Sequence, residues 1–395
     1  MKRELDRRLP LDLYISSGAR AASMLGHSVA VTALTLDLHA DGRATWVIAA
    51  LLFAGTLPLV LLSPLAGLLV DRHDSRQLLV VSGLWQAAAY TLLVFVDHPV
   101  AVLFLMTLAS VGTAVTTPLL MSLTPLMVLD RQLAAANGLQ QGMVVIALMA
   151  GPTISGMMFG LTGDARMPLL LNVMIYLAIV GTGLLISTRR RPQLGESRPR
   201  AMDGVTVLFA DRAVGPVVTV AVLLVLSLHL TYVAQVFLVR DTFGASALTF
   251  GLMQATHTAG FLFASVAASR LNTTRRILVG TPVMAALLSV AMLVISFARS
   301  LTITFAMLLI AGFAVTVVLV VVGTLLMQRI PKDVLGRALA SFTGAHRAAA
   351  LVAYSLGGWL ASLISPLTMY AVSGIVALIA LFVTAPMMHR ALATV

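Results

Sequence analysis

Apolar residues in this chain fall into long runs, each closed by a short stretch of Gly, Pro, Asp or Arg. Runs of about 20 residues with few charges have the length of a membrane-spanning helix. They lie near 13–37, 46–70, 77–97, 100–128, 133–161 and 167–187. A second set follows near 214–239, 247–269, 276–297, 301–328, 338–362 and 366–388. The pattern predicts an all-α integral membrane protein of twelve transmembrane helices in two six-helix bundles. The organisation read from it is a first bundle over 1–187, a linker over 188–213 and a second bundle over 214–395. The linker runs from Arg189-Arg190-Arg191-Pro192 to Asp211-Arg212, and its Pro, Gly, Ser and charge content marks a solvated hinge.

An internal repeat makes the bundles pseudo-symmetric. A shift of 206 residues lays Leu133 on Leu339, Gly151 on Gly357 and Gln140-Gln141 on His346-Arg347. Each stretch follows a short charged loop, Asp130-Arg131 in one half and Lys332-Asp333 in the other. Such repeats typify secondary transporters, whose sites lie near the bilayer midplane.

Composition changes the solvent, not the pattern. Of 395 residues 59% are apolar and only 10% charged, with a mean hydropathy of +1.00. A soluble domain carries roughly 25% charged residues. Lipid must therefore surround most of the chain. The net charge of +11 raises nucleic-acid binding and its placement excludes it, because the basic residues sit in short clusters between apolar runs rather than in one patch. With the N-terminus inside, twenty of the 26 Lys and Arg fall on the cytoplasmic side, as the positive-inside rule requires. Both termini are then cytoplasmic. The charged start Met1–Arg8 leads into a long apolar stretch without a small-residue cleavage site, which reads as a first helix rather than a signal peptide. Without cysteine there is no disulfide or thiolate chemistry, and no cofactor or metal site is expected.

Two motifs carry a family resemblance. Gly67-Leu68-Leu69-Val70-Asp71-Arg72-His73-Asp74-Ser75-Arg76 resembles the signature loop of the major facilitator superfamily, with Asp74 and Ser75 as departures. The resemblance implies a conformational switch built from Gly67, Asp71, Arg72 and Arg76, with Arg131 nearby. Gly138, Ala147, Gly151, Pro152, Ser155 and Gly156 stand at the spacing of the motif associated with antiporters of that superfamily, small size being kept throughout. Pro125–Val128, Leu133–Gly138, Arg329-Ile330-Pro331 and Leu335-Gly336-Arg337 are similar to the macrolide-efflux and enterobactin-exporter branch. Leu108 stands where many drug–proton antiporters carry an Arg four residues before Gly112, so a coupling scheme using that Arg does not transfer.

Ionisable groups within spans are functional candidates, since hydrocarbon disfavours them. All fifteen acidic residues fall in loops or near span ends, Asp37 being nearest to a membrane carboxylate. The deep groups are Arg20, His27, His229, His257 and Arg347. Arg20, Ser23 and His27 share a helix face, as do His229, Tyr232 and Gln235, and Gln254, His257 and Thr258, while Thr107, Ser110, Thr113 and Thr117 form a hydroxyl stripe. Together with Gln141 and Asp37 these are the candidate substrate and proton pathway. In the family fold the first, fourth, seventh and tenth spans line the central cavity. A histidine titrates in the physiological range and can replace a carboxylate as proton carrier.

The resemblance implies a monomeric secondary active exporter of small amphipathic or hydrophobic compounds, in a bacterial cytoplasmic membrane, driven by proton antiport through alternating access. Siderophore export and lipid or lysolipid translocation are alternatives within the same fold. The metalloprotease and Walker loop patterns that would suggest an enzyme or an ATP-driven pump do not occur.

Overall fold

A computed structural model describes residues 10–188 and 201–393, apart from the side chains of 63, 64, 67, 71, 201–204, 332 and 333. The described residues form helices and no strands. In chain order these are α1 (Leu11–Ala40), α2 (Thr45–Leu61), α3 (Ser63–Arg72), α4 (Ser75–Val94), α5 (Pro99–Met127), α6 (Leu133–Thr162) and α7 (Arg166–Leu185). After the linker come α8 (Ala201–Ala210), α9 (Val214–Phe237), α10 (Ala247–Arg270), α11 (Thr274–Ser296), α12 (Leu301–Arg329), α13 (Lys332–Ala361) and α14 (Pro366–Leu392). A π-helical turn, Leu238–Thr242, extends α9.

The runs expected to span a membrane are realised as helices, with two differences. The second run is broken at Leu62 into α2 and α3. Pro64 follows two residues on and cannot donate to the carbonyl of Val60, so the helical ladder loses a rung there. The later part of the linker carries α8, which packs on α9 and α13 through a buried Leu208. Among the described residues, nine helices are both long and apolar enough to cross a bilayer. The other three expected spans correspond to α2 with α3, to α10 and to α13. At about 1.5 Å per residue α10 and α13 are long enough to cross. They fall short in apolarity, because they carry Gln254, His257, His346 and Arg347.

Two compact units emerge. The first holds the chain up to Asp41 and from Ala54 to the linker; the second holds Gly42–Phe53 and the chain after the linker. In the first, α1 packs on α6 and α7, and α4 packs on α5 and α7. In the second, α9 packs on α13 and α14, and α11 packs on α12 and α14. The same partner scheme appears twice, which is what a duplicated bundle produces.

Small and polar residues seat these helices. Lipid gives apolar side chains no reason to prefer one another, so association relies on close backbone approach and interhelical hydrogen bonds. A Cβ added to Gly83 would lie 2.8 Å from Val180 on α7. Tyr90 and Tyr176 stack across the same interface with ring centroids 5.2 Å apart. Ser227 and Ser373 each donate to the other's carbonyl, at 2.8 and 2.7 Å. Ser289 donates to the Gly374 carbonyl at 2.8 Å. Large apolar side chains such as Phe104 (62% exposed) and Phe263 (60%) face outward from mid-helix positions.

Helix ends follow the chain's punctuation. Asp74 caps α4 by accepting from the backbone of Arg76 (2.9 Å) and Gln77 (3.3 Å), which accounts for an acid at this departure from the family motif. Ser246 and Ser365 cap α10 and α14 in the same way. Gly163, with φ at 79°, supplies the left-handed residue that ends α6.

Candidate functional site

In the first unit, Arg20 lies on α1 facing α6. Its Nη1 donates to Gln140 Oε1 at 3.2 Å, and Gln140 Nε2 donates to Thr124 Oγ1 on α5 at 2.7 Å. Among the described residues no carboxylate comes within ion-pair reach of Arg20, and its Nε is buried without a partner. Gln140 is 1% exposed, whereas Gln141 lies on the exposed face. One residue along a helix is a rotation of about 100°. The inward position is therefore Gln140.

Two turns along α1 from Arg20, His27 faces α2 and α5. A Cβ built on Gly55 would sit 3.6 Å from His27 Cε1 and 3.3 Å from the Met106 methyl. His27 Nδ1 is buried and has no partner. Ser23, between them, has its carbonyl engaged by Tyr176 Oη at 3.3 Å. Asp37 accepts from the Ala165 backbone N–H at 3.1 Å, placing a carboxylate at the positive mouth of α7.

Thr113 belongs to a different arrangement. Its hydroxyl donates to Gln86 Oε1 at 3.0 Å, while Gln86 Nε2 donates to the Ser82 carbonyl (3.0 Å) and Thr116 Oγ1 (3.2 Å). Gly112 allows this, because a Cβ there would collide with the Gln86 side chain. The network joins α4 to α5 and satisfies Gln86 without water. Thr117, one turn on, has a buried hydroxyl with no partner.

In the second unit an aromatic–imidazole cluster spans three helices. His229 lies 4.6 Å from Tyr232 and 5.5 Å from Tyr354 on α13, centroid to centroid. Tyr232 reaches His257 on α10 at 6.0 Å and Tyr354 at 6.2 Å. His229 Nδ1 bonds the Val225 carbonyl at 2.8 Å. A carbonyl only accepts, so Nδ1 carries the hydrogen and Nε2 is left as an acceptor. His257, 7% exposed, has an unpartnered Nε2. Of the predicted set, His229, Tyr232 and His257 come together. Gln235 is buried farther along α9, and Gln254 is half-buried on α10, its carbonyl accepting from Thr258 at 3.2 Å. Arg347 is half-buried on α13, next in sequence to His346, whose ring faces Phe342 at 6.4 Å.

The switch motif is only partly visible. Gly67 and the side chain of Asp71 lie outside what the structure describes. Arg72 is exposed at the end of α3, Arg76 is half-buried near Leu123 and Gly183, and Arg131 is exposed in a 3-10 turn. The antiporter-type motif divides. Gly151, Pro152, Ser155 and Gly156 are buried, and a Cβ on Gly151 would meet Ser28 and lie 3.0 Å from the Leu25 carbonyl on α1. Ser155 donates to the Val29 carbonyl at 2.9 Å. Gly138 is exposed, with open space where its Cβ would be. The motif's second half is thus a seam between α6 and α1.

A cavity of about 220 Å³ in the second unit, bordered by Ala234, Phe237, Asp241 and Ile364, holds none of the predicted polar residues. Gln86, Tyr354 and Asn172 are buried polar side chains outside the set expected from sequence, and the Asn172 amide lies against Gly26. An uncharged polar side chain in an apolar run was the available signal for each.

Comparison with known proteins agrees with this architecture. A family model described as transmembrane secretion effector matches residues 11–393. Macrolide efflux protein A of Streptococcus pyogenes is 27% identical over 201 residues, covering 49% of this chain and 48% of that protein. The Enterococcus faecalis protein of the same name is 30% identical over 157 residues, covering 38% and 46%. The match thus spans about half the length of these curated relatives. Among solved structures, the nucleoside transporter NupG superposes with a TM-score of 0.77 at 13% identity, covering 96% of this chain and all of that one. A bacterial homologue of the lysosomal transporter Spinster, inward-facing and occupied, gives 0.75 at 14% identity, covering 96% of each. At such identities the likeness is one of fold.

Proposed function

Because this chain belongs to the transmembrane secretion effector family of major facilitator transporters, we propose that it is a secondary active exporter of small amphipathic or hydrophobic compounds. Transport proceeds by alternating access in a bacterial cytoplasmic membrane, with both termini in the cytoplasm and the chain acting as a monomer. The observation that carries this reading is the His229–Tyr232–Tyr354–His257 cluster. It offers aromatic faces to an apolar or ring-bearing compound and leaves polar ring nitrogens beside them. Relatives named for macrolide efflux support the direction and the kind of cargo.

Coupling is assigned to protons. The carboxylate nearest the membrane, Asp37, is engaged with the α7 terminus, whereas His27 and His257 each keep a buried ring nitrogen without a partner. Imidazole can bind a proton in one state of a transport cycle and release it in the other. The seam of Gly151 and Ser155 fixes α1, and with it His27, against α6. The switch loop of Gly67, Asp71, Arg72 and Arg76, with Arg131, gates the cycle from its exposed end.

The test is export of a dye or drug panel from cells, with and without a proton uncoupler. Lower accumulation in expressing cells, abolished by the uncoupler, is the expected result. In a His27, His229 and His257 triple Ala variant, unaltered gradient-driven export would remove the histidines from the coupling scheme.

A further inference from the structure

We propose that Arg20 forms an anion-binding subsite in the first unit, which receives the carboxylate or phosphate group of an amphipathic compound. The inference rests on the reading of the chain as a carrier of amphipathic molecules and names a chemical class for them. Arg20 is half-buried nine residues into α1, on the side that packs against α6. A charge held there needs a counter-charge or a full set of hydrogen bonds. It has neither. Gln140 supplies one neutral acceptor at 3.2 Å, and Nε points at no acceptor.

The surroundings favour a ligand over a protein partner. Gln140 has a single amide oxygen, and its bond to Thr124 keeps that oxygen turned toward Arg20, so it offers the arginine one neutral acceptor. Ser17 stands one turn before Arg20 on the same helix face, fully buried, and its hydroxyl also lacks a partner. The nearest acid on α1, Asp12, is spent on Thr188, accepting from its backbone N–H at 2.8 Å and its hydroxyl at 2.6 Å. Packing closes off Nε and the Ser17 hydroxyl, so the accessible edge of Arg20 is the terminal end of its guanidinium, which suits a planar carboxylate or a phosphate. A glutamate in place of Gln140 would neutralise the site permanently. The amide instead holds the arginine in position and leaves its charge for the ligand. That charge selects anionic or zwitterionic amphiphiles over purely cationic ones, and a lipid headgroup offers the same chemistry as a free compound.

The experiment uses the full chain in nanodiscs of zwitterionic lipid, with empty discs subtracted. Equilibrium binding is measured for a dansyl-labelled aliphatic acid and for its methyl ester. The acid is expected to bind at least about tenfold more tightly, a ratio that one modest charge interaction supplies. Gln140→Glu, which supplies an internal counter-ion and keeps the fold, should bring the ratio to about one, as should Arg20→Gln, while Arg20→Lys keeps part of the preference. Phosphatidylglycerol added to the discs weakens acid binding if a lipid headgroup occupies the site and leaves it unchanged if it does not; either result keeps the subsite. A wild-type ratio near one, or a ratio unchanged in Gln140→Glu, overturns it. Binding needs no gradient, so loss of export with the acid preference intact would count against the exporter reading alone.

Discussion

Gly312 on α12 lies directly against the backbone of His257 on α10, so that a Cβ on the glycine would run into the His257 carbonyl oxygen and come within 3.2 Å of its ring. The close approach of these two helices is what sets the position of the imidazole in its cluster. Gly260 repeats the approach from the other side, over the Leu309 carbonyl and the Phe313 N–H. Gly312→Ala is therefore expected to destabilise the protein by about 1–3 kcal/mol, through forced separation of the helices. Gly323→Ala on the same helix meets nothing within 4 Å and should be neutral or slightly stabilising. Thermal unfolding of the purified variants distinguishes the two.

The α1–α6 seam gives a paired expectation. Gly151→Ala collides with Ser28 and should lower both stability and export, whereas Gly138→Ala should change neither. Combining Gly151→Ala with Ser28→Ala removes the clash with the Ser28 hydroxyl and leaves the 3.0 Å approach to the Leu25 carbonyl and the 3.1 Å approach to the Cβ at position 28. Partial recovery of the melting temperature in the double variant is the check, read as a double-mutant cycle.

Asp37 separates a structural carboxylate from a proton carrier. Asp37→Asn keeps an oxygen for the Ala165 N–H and should leave uncoupler-sensitive export in place. Asp37→Ala loses the contact and should lower stability by about 1–2 kcal/mol. Abolished gradient-driven export in Asp37→Asn, with normal folding, would return the proton to this acid.

Asp211 gives a pH dependence outside the membrane spans. Burial works to raise its carboxyl, but the Arg329 guanidinium at 2.8 Å and the backbone N–H groups of Ala213 and Val214 outweigh it and hold the group below the usual range. A carboxyl depressed in the folded state stabilises above its unfolded pKa of about 4 and loses that contribution as pH falls through the folded value. The melting-temperature gap between wild type and Asp211→Asn should be constant from neutral pH down to about 5 and then close on further acidification. A gap that widens on acidification would contradict the assignment.

Much of this fold was legible because lipid imposes a plain code: a run of apolar residues long enough to cross must satisfy its own backbone as a helix. The break at Leu62 was less visible, since Pro58 and Pro64 both stand in an apolar context and only geometry decides which interrupts the ladder. The helix at 201–210 was hidden inside a stretch whose average composition resembles a linker. For the candidate site, the face shared by His229 and Tyr232 followed from helical spacing, but Tyr354 arrives from α13, and no local periodicity links residues so far apart in the chain. The sequence pointed to Gln141, whereas the structure turns its neighbour Gln140 inward. Their packing against α1 separates them, because only one of two neighbours can face a given helix.

Everted membrane vesicles containing the protein, given an imposed acid-inside pH gradient, provide the decisive reading. Accumulation of an amphipathic dye or macrolide above that of control vesicles, collapsing on addition of an uncoupler, is the result expected of a proton-driven exporter. Accumulation equal to that of control vesicles, or unchanged by the uncoupler, would contradict it.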